Sequence, residues 1–238
     1  MKYFFCLLFL LSFGSINCQL AFNDLDYDRL HQKKIRKFVN RHIDEDKKFF
    51  CDLHPGDSDS VQLNKMQNQY LVKESVDDVW DAYKNANPCD IWNGRMVSFG
   101  FLCSKWYNFI VYKNDSAYGC IDTGQVVFIN LKLLWGLYNL PVGIQILDVD
   151  DENMNITLSY LEGGKSIGTQ IIQLSEMESG TTCISHITGF KSSSDFRDRH
   201  LYPYYHTKVL NEFHRNILKN LDPGIVILAT NPSKDFER

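Results

Sequence analysis

The densest run of reactive side chains in this sequence is KSSSDFRDRHLYPYYH, Lys191 to His206. It holds Lys191, Arg197, Asp198, Arg199, His200, Tyr202 and His206. A guanidinium such as Arg197, or the ammonium of Lys191, suits a carboxylate or phosphate head group. The plainer chemistry is a solvated loop in which Asp195, Arg197, Asp198 and Arg199 pair locally. Tyr202, His206 and Glu212 are groups that could serve as general acid or base. A metal site is not expected. Paired helical ligands usually stand at i and i+4, whereas His206 and His214 are eight residues apart and His200 precedes the helix.

Other local candidates dissolve on inspection. Glu162-Gly163-Gly164-Lys165-Ser166 lacks the spacing of a phosphate loop and reads as a β-turn. No HExxH or CxxCH motif occurs. His186 alternates with Ile184 along a strand and reads as a core or cavity-wall residue. Asp77 and Asp78 resemble an acidic pair, but Ser75 sits where a helix N-cap belongs and Asp78 can complete a capping box. Both carboxylates fall in the first turn, where the helix dipole favours negative charge. Neighbouring helical residues do not face each other. The sequence thus predicts no catalytic residue and no cofactor, and favours a binding protein over an enzyme.

The elements that must position these groups follow from periodicity. Leu63 to Ser75 ends as a strand, and Val76, Val79, Trp80 and Tyr83 then share one helix face. Asn87-Pro88 stops that helix, and Pro88 to Trp92 can start a short second one. Aromatic and β-branched residues mark strands at 97–103, 107–112, 125–131, 143–149, 154–160, 168–174 and 181–190. Short turns at 150–153 and 178–180 imply an antiparallel meander. Pro203 opens a last helix with Val209, Leu210, Phe213, Ile217 and Leu221 on one stripe, and Asp222-Pro223-Gly224 ends it.

Composition is that of a globular protein: 44 % hydrophobic, 23 % charged and 13 % aromatic. A net charge of −4 without a long basic run argues against a nucleic-acid partner. The first 18 residues, a lysine followed by an apolar run, read as a signal peptide. The run is shorter than the about 20 residues of a membrane span. A secreted or periplasmic protein is therefore expected, with no stable span after cleavage. A lipid anchor at Cys18 fits less well, since Ser15 and Asn17 match that pattern poorly. Cys51, Cys89, Cys103, Cys120 and Cys183 allow at most two disulfides, or serve as buried apolar residues. Residues 19–60 form an N-terminal helical segment and linker, closed by the breaker at His54 to Ser60. The main domain spans 61–222 and a tail 223–238.

Strand, short helices, a run of antiparallel strands and a long terminal helix together make an α+β order. KESVDDVWDAY, the meander and the helix Pro203 to Leu221 carry a resemblance to the START/Bet v 1-like (SRPBCC) helix-grip superfamily of lipid-transfer domains, pathogenesis-related proteins and polyketide cyclases. The resemblance implies a curved antiparallel sheet wrapped around the C-terminal helix, with a cavity between them. The extra N-terminal helical segment and the long stretch from Ser104 to Thr123 depart from that pattern. The implied partner is a hydrophobic or amphipathic small molecule, with lipids among the candidates. The expected cavity walls are Trp80, Phe99, Phe101, Phe128, Ile146 and Leu158, together with Ile172, His186, Phe213 and Ile217. Lys191, Arg197, Tyr202 and His206 form the expected polar rim. The alternatives are a cyclase, dehydratase or hydrolase on the same fold, and an interaction module whose pocket is filled by its own aromatics. The sequence sets no oligomeric state.

Overall fold

A computed structural model describes residues 25–43, 62–104, 109–115, 119–177, 180–221 and 226–228. Helix α1 (Lys33–Ile43) comes first, then strand β1 (Asn64–Val72), α2 (Val76–Lys84) and α3 (Pro88–Ile91). The meander follows as β2 (Val97–Ser104), β3 (Phe109–Tyr112), β4 (Gln125–Leu133), β5 (Tyr138–Asp150), β6 (Asn155–Tyr160), β7 (Ser166–Met177) and β8 (Thr181–Ser192). Helix α4 (Tyr202–Leu218) and a short strand β9 (Val226–Leu228) complete the order. The strands form one sheet in the order β3-β2-β4-β5-β6-β7-β8-β1-β9, antiparallel throughout.

Local chemistry explains the helix starts. The Ser75 hydroxyl accepts from the Asp78 N–H at 3.2 Å and donates to the Asp78 carboxylate at 2.6 Å. Asn87 caps α3 by accepting from the Cys89 N–H at 2.9 Å, with Pro88 in the first turn. Helix α2 then buries Val79, Trp80 and Tyr83, the stripe its spacing demands.

The sheet is apolar on both faces. Its concave face packs on α2, α3 and α4 through Tyr70, Phe99, Ile129, Ile146, Leu158, Ile172 and Ile184. Its other face packs on α1, where Ile35, Phe38 and Val39 meet Phe101, Val126, Phe128 and Leu161. Phe101 stacks on Phe128 at a centroid distance of 4.3 Å, and Phe38 meets Phe128 edge-on at 6.1 Å. A register shift between Phe99 and Phe101 lets β2 change phase. Gly100 lies in that shift, and a Cβ there would collide with the Ile35 side chain and the Phe128 carbonyl. The Gln32 amide donates to the Phe99 carbonyl at 2.8 Å, and the Asp26 N–H donates to the Tyr112 hydroxyl at 2.7 Å. The described part of the N-terminal segment thus shares a core with the sheet.

The observed elements differ from the sequence expectation in three places. Strands β4 and β5 run on past Leu131 and begin before Gly143, so LKLLWGLYNLPV is a hairpin. The chain after β8, expected as a loop, winds into a π-helical turn, Arg197–Leu201, that leads directly into α4. The expected tail contributes β9, paired with β1. The predicted signal peptide and the His54 to Ser60 breaker lie outside the described residues. Among those residues no helix is long and apolar enough to cross a membrane. Cys89, Cys103, Cys120 and Cys183 are thiols; Cys51 lies outside the description.

Helix α1 therefore makes a testable contribution. Phe38→Ala removes a side chain that is only 1 % exposed. The expected loss is about 3–5 kcal/mol in chemical denaturation. A midpoint unchanged from wild type would mean that α1 does not contribute to the stability of the sheet.

Candidate functional site

The space between the concave face and α4 is filled at one end and open at the other. Toward α2 and α3, Leu158, Ile146, Ile172, Phe213 and Ile217 close on a void of about 30 Å³. Toward the start of α4 there is a cavity of about 330 Å³. Its walls are the β4–β5 hairpin (Ile129, Leu131, Leu133, Leu140, Val142), the β6–β7 turn (Leu161, Gly164, Lys165) and the N-terminal half of α4 (Tyr205, His206, Val209, Leu210). Ligand pockets typically measure about 300–1,000 Å³ and are mostly apolar with a few convergent polar groups. This cavity sits at the small end of that range.

The polar groups come from four places. Gln170 reaches it from β7, Tyr160 from β6, Tyr202 and His206 from α4, and Arg197 from the π-helical turn. The Tyr160 and Tyr202 hydroxyls are hydrogen-bonded at 2.5 Å. Burial pushes the Tyr160 hydroxyl up to about 12 and raises that of Tyr202 well above its ordinary value, so both stay protonated. One of the two protons bridges the pair; the other is free to be donated. Tyr202 is held flat by Phe190 at a centroid distance of 3.7 Å and stacks on His206 at 4.9 Å. The His206 Nδ1 atom is buried and has no hydrogen-bond partner among the described residues.

Beneath the cavity floor lies a chain of buried hydrogen bonds with a single sense. Gln170 Oε1 can only accept, so His186 Nε2, at 2.9 Å, carries a proton and donates it. His186 Nδ1 is then the acceptor for His214 Nε2–H, also at 2.9 Å. His214 Nδ1 in turn accepts from the Tyr83 hydroxyl. This sense requires neutral imidazoles. Burial lowers His186 well below the usual histidine value, reinforced by His214 and His206, and lowers His214 and His206 to about 3. With its oxygen engaged by His186, Gln170 has its amide N–H groups left to serve a ligand.

The structure scatters the sequence-predicted wall residues. Ile146, Leu158, Ile172 and Phe213, with Ile217, line the small filled void. Phe99 belongs to the concave core, as does Trp80, whose indole donates to Asp151 at 2.8 Å. His186 supports the cavity through Gln170 without lining it. Phe101 and Phe128 are corrected: they lie on the opposite face, against α1. For Phe101 the cause is the phase change at Gly100; Phe128 simply alternates with Val127 and Ile129 in a strand that is apolar on both sides. Of the expected rim, Arg197, Tyr202 and His206 line the cavity, while Lys191 is exposed and lies outside its walls. Glu212 is not available for catalysis, because its carboxylate accepts from the N–H groups of Arg95, Met96 and Val97 at 2.8–3.2 Å. Gln170 and Tyr160 were missed. Both follow from strand alternation, Gln170 in phase with Ile172 and Leu174 and Tyr160 in phase with Leu158, once the inward face is known. Among the described residues, no cluster of three His, Cys, Asp or Glu could hold a metal ion.

The β4–β5 hairpin that walls the cavity is unusual at its tip. Trp135 and Leu137 are each 86 % exposed. Leu134 and Trp135 have φ of 50° and 57°, a left-handed backbone that side chains other than glycine adopt at a cost. Leu134 and Tyr138 extend from this tip into the cavity wall.

No protein-family model and no curated protein sequence matches the chain. Solved structures do. Norcoclaurine synthase from Thalictrum flavum aligns at a TM-score of 0.50 with 15 % identity, covering 71 % of this chain and 92 % of the synthase. The same enzyme in complex with dopamine and hydroxybenzaldehyde gives a TM-score of 0.50 at 15 % identity, covering 74 % and 95 %. Major latex-like protein 151 from Panax ginseng aligns at 0.48 with 12 % identity, covering 67 % and 97 %. At such identities the likeness is one of fold.

The neutral histidines give stability a pH dependence. His186 and His214 are each 1 % exposed and titrate lower in the folded chain than unfolded. Their stabilising contribution is complete above the unfolded value, about 6.5, and is lost as pH falls toward the folded values. Each then weakens the fold by up to about 1.4 kcal/mol per pH unit. Urea midpoints should drop between pH 7 and pH 5, and His214→Phe should flatten that slope. An unchanged slope in the variant would contradict the neutral chain.

Proposed function

Because the chain has the helix-grip fold of the Bet v 1 and START proteins, we propose that it is a binding protein for a compact hydrophobic or amphipathic small molecule. The observation that carries this reading is the cavity of about 330 Å³, apolar on the hairpin side and polar at Gln170, Tyr160, Tyr202 and His206. Its size favours a ring system or a single short chain over a two-chain lipid. The synthase complexed with dopamine and hydroxybenzaldehyde supports small aromatic ligands on this fold. The apolar N-terminal run supports export, so the ligand would be met outside the cytoplasm.

An enzyme on the same fold is the second reading. It is favoured by His206 and the Tyr160–Tyr202 pair, which face the cavity with hydrogen-bonding capacity unspent. The interaction module with a self-filled pocket loses ground to a cavity of this volume.

The test uses N-phenyl-1-naphthylamine, a neutral dye that fluoresces on transfer to apolar surroundings. It should bind the purified chain saturably. Val142→Trp, which pushes an indole into the cavity wall, should weaken that binding at least about tenfold, the loss of a few well-placed contacts, while the thermal transition stays cooperative. Equal binding by the variant would place the dye elsewhere and remove this reading.

A further inference from the structure

The charges around the cavity are one-sided. Its lining includes Arg197 and Lys165 but no aspartate or glutamate. Arg197 has no ion-pair partner among the described residues, and its Nε is buried without a hydrogen-bond acceptor. Its Nη2 donates to the Lys165 carbonyl at 2.6 Å, which pins the head group against the β6–β7 turn. The neighbouring Asp198 does not neutralise it. The Asp198 carboxylate lies outside the cavity lining; its Oδ2 accepts from the Ser192 N–H at 3.0 Å and from the Asn64 amide at 3.4 Å, and its Oδ1 is buried without a partner among the described residues. A half-buried cation without a counter-ion is unfavourable and is relieved by a bound anion.

The other polar groups at this end add donors. The Gln170 amide has its oxygen committed to His186, which leaves its N–H groups. The Tyr160–Tyr202 pair has one proton to spare. Donors and a pinned guanidinium in the wall of one mostly apolar cavity match an acidic head group.

We propose that the ligand is an amphipathic acid, a compact apolar body ending in a carboxylate that sits against Arg197, with Lys165 at the mouth and Gln170 and the tyrosine pair as neutral donors. This assignment rests on the binding-protein reading above and specifies its ligand class. The carboxylate replaces the missing counter-ion, while the hydrocarbon body fills the space between the β4–β5 hairpin and Val209 and Leu210. Arg197 is then the specificity residue, because it separates an acid from its neutral analogue.

Competition against bound N-phenyl-1-naphthylamine tests this with a matched pair, decanoate and 1-decanol, at a pH near 7.5. Decanoate should displace the dye about ten- to a hundredfold more effectively than the alcohol, the range of a charge-assisted contact. Arg197→Met should abolish that preference, read as the ratio of acid to alcohol displacement within the same variant, and Lys165→Met should reduce it in part. Equal displacement by acid and alcohol in the wild-type chain would overturn the anion subsite while the container stands. Failure of the dye to bind would remove both. If Arg197→Met does not fold, the wild-type preference and its Lys165→Met counterpart still decide.

Discussion

One helix cannot cover one sheet. With the π-helical turn that leads into it, helix α4 runs for 22 residues, Arg197 to Leu218, about 33 Å at 1.5 Å per residue. Strands β5, β7 and β8 have 13, 12 and 12, about 40 Å at 3.3 Å per residue. Helices α2 and α3 make up the shortfall at one end, where Trp92, Phe213 and Ile217 close the core. At the other end the π-helical turn carries Arg197 and Leu201 to the cavity wall, and the β4–β5 hairpin overhangs the space left between them. The cavity is thus a consequence of unequal element lengths, and the chemistry of its walls depends on which residues the strands present there.

The same constraint explains the buried polar chain. Strand alternation carries Gln170 and His186 onto the concave face beneath the cavity, where desolvation would penalise each. Helix α4 answers with His214, and α2 with Tyr83, so the donors and acceptors from Tyr83 to Gln170 meet in order. The arrangement requires all the imidazoles to be neutral and leaves the Gln170 amide oriented toward the cavity. Packing on one side and polar satisfaction on the other therefore fix the same wall. Helix α1, an addition to the helix grip, seals the outer face with Phe38 against Phe128, which is why β4 is apolar on both sides.

Much of this was legible in the chain. Ser75 and Asp78 announced the start of α2, Pro203 and the four-residue stripe announced α4, and the turn residues announced the meander. Cavity walls were harder. In QVVFINL neither face is polar, so alternation cannot tell Phe128 from Val127; only α1, distant in sequence, distinguishes them. Phe99 and Phe101 are two apart and read as one face until the register shift at Gly100 separates them. The expected phenylalanines fill the core, and the aromatics that line the cavity are Trp92, Tyr138, Tyr160, Tyr202 and Tyr205, beside small residues such as Val142, Gly143 and Gly164. Arg197, Tyr202 and His206 could be placed because they adjoin the start of α4, a position fixed by chain order.

The central claim is that the helix grip is a container. Native mass spectrometry of the protein purified from its own source, followed by organic extraction, tests it most directly. The account predicts an added mass that survives gentle ionisation, is released by solvent and belongs to a compact apolar compound. A bare polypeptide mass, joined to a failure to take up any apolar compound when the cavity is challenged in solution, would contradict it.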